Sequence, residues 1–310
     1  MRERKTEIGL ILVGAIILCF IGFYNNFPLV FSDSADYLGG AFGRYIPVDR
    51  PVFYGIFLRI ASLDTSLWLA ILVQGILISY LLFETFSIFY SGNRRNFLFI
   101  MSVSILTVCT GISQNTSILL PDIFSPIGIL CFINLLINNK LSKLRLIIIS
   151  LILMLCVLVH FSNMLVLFSL WMLVCIYAVF KHYKKQQIAI TKRKILITFA
   201  LVSSIVIVAP VGNYLFGKKF IISEGSHVFI MTHLVETGIL EEYLKNECEH
   251  NNYKMCQFKD RIDTNFLWGG KVFGEMGGWE GSREEFNSII FDIVTTPKYA
   301  IMLVRRCFEY

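Results

Sequence analysis

The residues best suited to chemistry stand directly after the first long apolar run, as Ser32-Asp33-Ser34-Ala35-Asp36-Tyr37, and Asp49-Arg50-Pro51 follows a short way on. Carboxylates and a guanidinium beside the hydrocarbon of a bilayer carry a desolvation cost, so such a group reads by default as a functional site at the membrane surface. Helical residues three and four apart are neighbours, which puts Asp33, Asp36 and Tyr37 on adjoining faces. A carboxylate at that boundary can accept a proton from an acceptor hydroxyl, because partial desolvation raises its basicity. Ser32 or Asp33 would serve equally well as the N-terminal cap of a helix. Local pattern leaves both roles open.

Three further residues join this set. Arg50, held before Pro51, can grip a phosphate through paired hydrogen bonds, or can snorkel to lipid headgroups. Asp122 follows Pro121 at the start of an apolar run, as a second carboxylate or as a cap beside the proline. His160 closes another run with Ser162 and Asn163 beside it, as a functional base or as a satisfied interfacial histidine.

The elements that must position these residues are apolar runs. Hydrophobic residues make up 55% of the 310 and charged residues 16%, with a mean hydropathy of +0.66, outside the range of soluble domains. The expected fold is an all-α polytopic membrane protein. Runs long enough to cross a bilayer fall near 8–30, 66–90, 97–114, 117–138, 145–162, 163–180 and 195–216, giving seven expected spans. The net charge of +6 comes from short basic clusters between runs, as orientation signals do, and not from a nucleic-acid-binding face.

Those clusters set an orientation. Arg2, Arg4 and Lys5, then Arg94 and Arg95, then Lys140, Lys143 and Arg145, then Lys181 through Lys194, occupy every second connection. The positive-inside rule therefore puts the N-terminus in the cytoplasm and residues 217–310 outside, in an inner (cytoplasmic) membrane. Asp33, Asp36, Arg50, Asp122 and His160 come from three separate connections and all fall on the outer side. Glu84, near the cytoplasmic end of the second run, has no evident partner and is expected to reach the interface. The first run lacks a small-residue cleavage site and reads as a retained span rather than a signal peptide.

Residues 33–44 and 52–62 of the first outer connection read as two short amphipathic helices lying in the interface, separated by Pro47 and Pro51. The chain then divides into a membrane module, 1–216, and a polar outer region, 217–310. That region carries glycine turns at Gly269-Gly270 and Gly277-Gly278, helical stretches near 227–246 and 282–294, and at 298–310 what resembles the lead-in to a further helix, so truncation is one reading of it. Cys19, Cys109, Cys131, Cys156 and Cys175 lie in apolar runs, where free cysteine behaves as a small hydrophobe. Cys248 and Cys256 fall in the outer region, where an oxidising compartment permits a disulfide. No His/Cys grouping has zinc-site spacing, so no metal site is expected; no cofactor is expected either, and a divalent ion has no support in the sequence.

The module resembles the GT-C superfamily of membrane glycosyltransferases, which includes the protein O-mannosyltransferases and the lipid A aminoarabinose transferases. The resemblance rests on seven spans, two interfacial helices in the first outer loop, Asp33 followed four residues later by Tyr37, and Arg50-Pro51-Val52-Phe53-Tyr54. It implies a transferase that moves a sugar from a polyprenyl-phosphate-linked donor to a glycan, lipid or protein acceptor at the outer face. Asp33 would then be the general base, with Asp36 as its rival. Arg50 and His160 would contact the donor phosphate; Asp122, with Tyr37 and Tyr54, would lie on the acceptor side. The outer region is similar to those of bacterial membrane proteins with a Cys, Cys-x-x-x-Asp-Arg, Phe-Leu-Trp pattern, here Cys248, Cys256 to Asp260-Arg261 and Phe266-Leu267-Trp268. A lipid-linked-sugar transporter or flippase, and a non-catalytic membrane subunit that binds a partner through its outer domain, are the alternatives. Polar residues lining a path in mid-membrane would favour the first.

Overall fold

The computed structural model describes residues 2–43, 45–186, 190–217 and 219–306. Among the described residues the secondary structure is helical, with one isolated parallel bridge between Leu29 and Ile118. The chain forms two compact units: Met1–Pro47 with Pro51–Ile222, and Val48–Arg50 with Ser223–Tyr310. The second unit thus begins six residues beyond the expected boundary at 216 and takes in a three-residue piece of the first loop.

In the first unit α1 (Arg2–Leu18) is followed by α2 (Phe20–Asn25), α3 (Ser34–Phe42), α4 (Val52–Ser62), α5 (Leu67–Phe89) and α6 (Gly92–Cys109). Then come α7 (Ile112–Ser117), a 3-10 turn at Pro121–Ile123, α8 (Phe124–Ile137), α9 (Lys143–Val159), α10 (Ser162–Tyr183), α11 (Lys192–Ser203) and α12 (Ile205–Gly217). Helix α5 is the central element and packs against α1, α4, α6 and α8. It approaches α1 closely because position 75 is glycine: a Cβ there would lie 2.9 Å from Cys19 Sγ and 3.0 Å from Ala15 O. Three helical segments, Leu67–Phe89, Ser162–Tyr183 and Lys192–Gly217, are long and apolar enough to cross a membrane. Helix α10 leaves Leu165, Leu173, Ile176 and Val179 exposed, an apolar surface that suits hydrocarbon rather than water.

One end of this unit is fastened by charge. Arg145 donates to Glu7 at 2.8 Å and lies 2.9 Å from Glu84 Oε1, while Arg95 pairs with Glu7 at 3.2 Å and stacks 4.3 Å over the Phe83 ring. Glu84 is therefore not a lone residue reaching for the interface; Arg145, 61 residues away in the chain, neutralises it. Lys140 Nζ donates to the Ser87 and Ile88 carbonyls at the end of α5, and Lys194 Nζ to the Leu136 carbonyl at the end of α8. The lysines thus satisfy C-terminal carbonyls that helices leave unpaired. Arg95, Lys140, Arg145 and Lys194, drawn from three of the basic connections, are gathered at this end.

The opposite end departs from the expected run lengths. Instead of continuing to residue 30, the first helix breaks at Cys19 and stops at Asn25, because Asn26 adopts φ 60, a left-handed cap conformation that asparagine tolerates. Pro28 then lacks the N–H a helix would need. The chain runs extended, and Leu29 N donates to Ser117 O while Leu119 N donates to Leu29 O, both at 2.9 Å. The third run likewise ends at Cys109, and the fourth becomes α-helical only at Phe124.

The second unit contains α13 (Ser226–Glu236), α14 (Ile239–Glu247), a 3-10 segment at Lys254–Phe258, α15 (Lys271–Glu275), α16 (Gly278–Gly281), α17 (Arg283–Thr295) and α18 (Pro297–Arg306). The expected stretch 227–246 is two helices, because Gly238 at φ 70 turns the chain where a side chain would be strained. Leu234, Tyr243, Phe266, Phe286, Ile289 and Tyr299 are buried in its core. The Cys248–Cys256 disulfide is formed. Asp292 accepts from both Tyr243 Oη (2.9 Å) and Tyr253 Oη (2.7 Å), which ties α17 to α14 and to the segment after it. Arg261 pairs with Glu275 at 2.8 Å and lies over Phe258, and Phe266 is core. The Cys, Asp-Arg, Phe-Leu-Trp pattern is thus largely a structural clasp, with Trp268 left exposed at 71%.

Two outcomes follow from these contacts. Removing Arg145 strands Glu84, which is 3% exposed, so Arg145→Met should cost on the order of 3 kcal/mol of stability and lower the melting temperature in detergent. Adding Glu84→Gln should recover much of that loss. In the second unit His227 is 2% exposed, its Nε2 donates to the Trp279 carbonyl at 2.9 Å, and its Nδ1 has no partner. Burial lowers its pKa below the ordinary 6.5 despite that hydrogen bond, and the nearby Arg283 guanidinium adds to the effect. The unfolded chain then takes up the proton first, so His227 costs nothing above roughly pH 6.5 and destabilises as pH falls below it. Thermal unfolding at pH 7.5 and pH 5.5 should show that loss, and His227→Gln should reduce the difference.

Candidate functional site

A glutamine inside an apolar helix organises the end of the first unit opposite the charged cluster. Gln74, fully buried in α5, receives a hydrogen bond on Oε1 from Tyr54 Oη at 2.8 Å. Its Nε2 donates to the carbonyls of Thr116 (2.9 Å) and Ile118 (3.1 Å). One amide thereby joins the second helix of the first loop to the chain just before Asp122. The Leu29 bridge reinforces the same stretch, and Ser113 and Ser117 hydroxyls accept from the N–H groups of Ile21 and Gly22 at 3.0 Å.

Around Tyr54 the aromatic rings form a platform. Tyr37 meets Tyr54 edge-on at 5.0 Å, and Phe124 meets Tyr54 at 6.0 Å and Phe57 at 5.0 Å. Helix α3 can lie on α4 because position 55 is glycine; a Cβ there would stand 3.2 Å from Ala41 N and 3.3 Å from Tyr37 O. Burial, with the Tyr37 phenol and the Asp122 carboxylate nearby, pushes the Tyr54 phenol well above its ordinary range. Tyr37 and Tyr54, expected on the acceptor side, are buried at 4% and 0% exposure.

The carboxylates sit at the edge of this platform. Asp33 occupies the position before α3 with helical φ and ψ, and its side chain makes no capping hydrogen bond; Ser34 Oγ accepts from Phe31 N instead. Asp33 and Asp36 are half-buried. Asp122 is exposed in the Pro121–Ile123 turn, and its carboxylate caps neither that turn nor α8. The capping roles open to Asp33 and Asp122 in the sequence are therefore not taken up. His160 ends α9, half-buried, with Nδ1 2.6 Å from Ser162 Oγ. Asn163 holds that corner to α8, accepting from Ser125 Oγ at 2.5 Å and donating to Cys156 O at 2.8 Å.

Arg50 belongs to the second unit, where its Nε lies 3.5 Å from Asp49 Oδ2. Among the described residues no group of three His, Cys, Asp or Glu side chains could hold a metal ion. The first unit thus carries Asp33 and Asp36 before and within the helix of Tyr37, Asp122 two residues ahead of Phe124, and His160 at the end of α9. Gln74 was missed by sequence reasoning, and Asn163 was noted only as a neighbour of His160; the signal for each was a lone amide within or beside an apolar run, which demands a partner. Comparison with protein-family models, with curated proteins and with solved structures finds no match.

Gln74→Leu would leave the Tyr54 hydroxyl, the buried Thr116 carbonyl and the partly buried Ile118 carbonyl without this partner, at about 1–3 kcal/mol for each fully buried group. It should destabilise the chain more than Tyr54→Phe, which strands only one acceptor. Thermal unfolding of the two variants in the same detergent ranks them.

Proposed function

We propose that this chain is a GT-C-type glycosyltransferase of the bacterial inner membrane, transferring a sugar from a polyprenyl-phosphate-linked donor to an acceptor at the outer face. Its first unit would cross the membrane seven times with the N-terminus in the cytoplasm, α3 and α4 would lie in the outer interface, and the second unit would be extracytoplasmic. The observation that carries this proposal is the platform of Tyr37, Tyr54 and Phe124, which unites the helix opened by Asp33 and Asp36 with the turn that holds Asp122.

In this mechanism Asp33 accepts the proton of an acceptor hydroxyl. The acceptor oxygen then bonds to the anomeric carbon as the bond from that carbon to the phosphate oxygen breaks, with inversion, and the lipid phosphate leaves carrying the electron pair. Positive charge positioned at that phosphate lowers the barrier; His160 would supply it from the first unit, and a share for Arg50 stands on the sequence alone. A transporter is less well supported, since the two amides best placed to line a path within the helices are taken up by packing. Gln74 is saturated as described, and Asn134 Nδ2 donates to Thr85 Oγ1 at 2.8 Å and to the Leu130 carbonyl at 2.9 Å.

Transfer of radiolabelled sugar from the membrane lipid fraction, compared between wild type and Asp33→Asn at matched protein levels, tests the proposal. Loss of a labelled product with accumulation of the lipid donor is expected, and Asp36→Asn should fall less. Identical products from wild type and Asp33→Asn would remove the proposal's main support.

A further inference from the structure

A groove between α3, α4 and the end of α12 has none of Asp33, Asp36 and Asp122 in its lining. It encloses about 410 Å³ and is lined by Gly40, Ala41, Val52, Ile56, Leu215 and Phe216, with Arg59 as the one charged side chain on its wall among the described residues. The volume is at the lower end of the roughly 300–1,000 Å³ that holds small ligands, enough for one hydrocarbon chain. The lip is apolar and open: Ile60, Leu215 and Phe216 are 68%, 64% and 58% exposed.

Two features set the depth of this groove in a bilayer. Leu215 and Phe216 are the last apolar residues of the segment Lys192–Gly217, and Arg59 stands a few residues ahead of the segment Leu67–Phe89. The groove is therefore where membrane-crossing segments end, at headgroup level, with its apolar wall toward the chains and its cation toward the phosphates.

Arg59 is held in a way that leaves it exchangeable. Its Nε and Nη2 both reach a single oxygen, Asp64 Oδ2, at 3.3 and 3.2 Å, and the two side chains are 41% and 53% exposed. Exposed pairs of this kind contribute little. Asp64 comes back to Arg59 through two successive left-handed residues, Leu63 at φ 54 and Asp64 at φ 53, a conformation that costs non-glycine residues energy. A phosphate offers the guanidinium two oxygens in the fork geometry that one carboxylate oxygen does not.

We propose that this groove binds an anionic glycerophospholipid, with one acyl chain along α4 and its phosphate on Arg59 in place of Asp64. The site depends on the chain lying in a membrane and is independent of the transferase proposal. Asp64 acts as a competitor for the cation, so the two members of the ion pair should have opposite effects on lipid retention.

Native mass spectrometry of the full chain in a mild detergent, titrated with phosphatidylglycerol or with phosphatidylethanolamine of the same chains, provides the test. Wild type should retain phosphatidylglycerol several-fold over phosphatidylethanolamine. Arg59→Gln should abolish that preference, and Asp64→Asn should increase phosphatidylglycerol retention, a gain that misfolding cannot mimic. Equal retention by wild type and Arg59→Gln would overturn the proposal. So would a loss of retention in Asp64→Asn that parallels a fall in melting temperature, which would mark the pair as purely structural. Displacement of phosphatidylglycerol by an equal concentration of undecaprenyl phosphate would overturn the choice of occupant in favour of an isoprenoid phosphate.

Discussion

An amide buried in an apolar helix must find its hydrogen bonds within the protein, because neither hydrocarbon nor packed side chains can supply them. Gln74 meets that constraint with three partners from two other parts of the chain: the Tyr54 hydroxyl and the carbonyls of Thr116 and Ile118. The rest of this end of the first unit follows. Once Tyr54 is fixed, Tyr37 and Phe124 pack on its ring, α3 settles on α4 at Gly55, and the turn bearing Asp122 is brought beside the helix bearing Asp33 and Asp36. A leucine at position 74 would suit the apolar run better by itself and would provide none of this.

The other end of the unit solves a different problem. Glu84 and Glu7 are carboxylates in or beside packed helices, and Arg145 and Arg95 neutralise them while Lys140 and Lys194 complete the helix ends. Charge fastens one end, and neutral hydrogen bonds centred on Gln74 fasten the other. The second unit uses a third means, a disulfide with a carboxylate shared by two tyrosines, as suits a smaller core.

Much of this was legible in the sequence where the cause is local. The helices at Val52–Ser62 and Leu67–Phe89, the basic residues gathered at one end and the Cys248–Cys256 pair follow from periodicity, run length and composition. What was not legible depends on distant partners. Glu84 looked solitary because Arg145 is 61 residues away, and Gln74 was passed over because its acceptors are 42 and 44 residues on. Run lengths misled at residues 26–30, 110–111 and 118–120, since hydropathy does not distinguish the extended chain of the Leu29 bridge, or a short break, from helix. For the site, Asp33, Asp36, Asp122 and His160 were named from residue type and expected side of the membrane, whereas the aromatic packing that joins the helix of Asp36 to the turn of Asp122 emerges only from the fold.

The central claim is that Asp33, Asp122 and His160, from three separate connections, share the outer face of one membrane unit. Single cysteines at positions 32, 122 and 162, and at 143 for the opposite end, placed in a chain whose free cysteines are replaced by serine, can be probed with a membrane-impermeant maleimide on intact cells. The account predicts labelling at 32, 122 and 162 without permeabilisation, and at 143 only after it. Labelling at 143 from outside, or a split between 32 and 122, would contradict it.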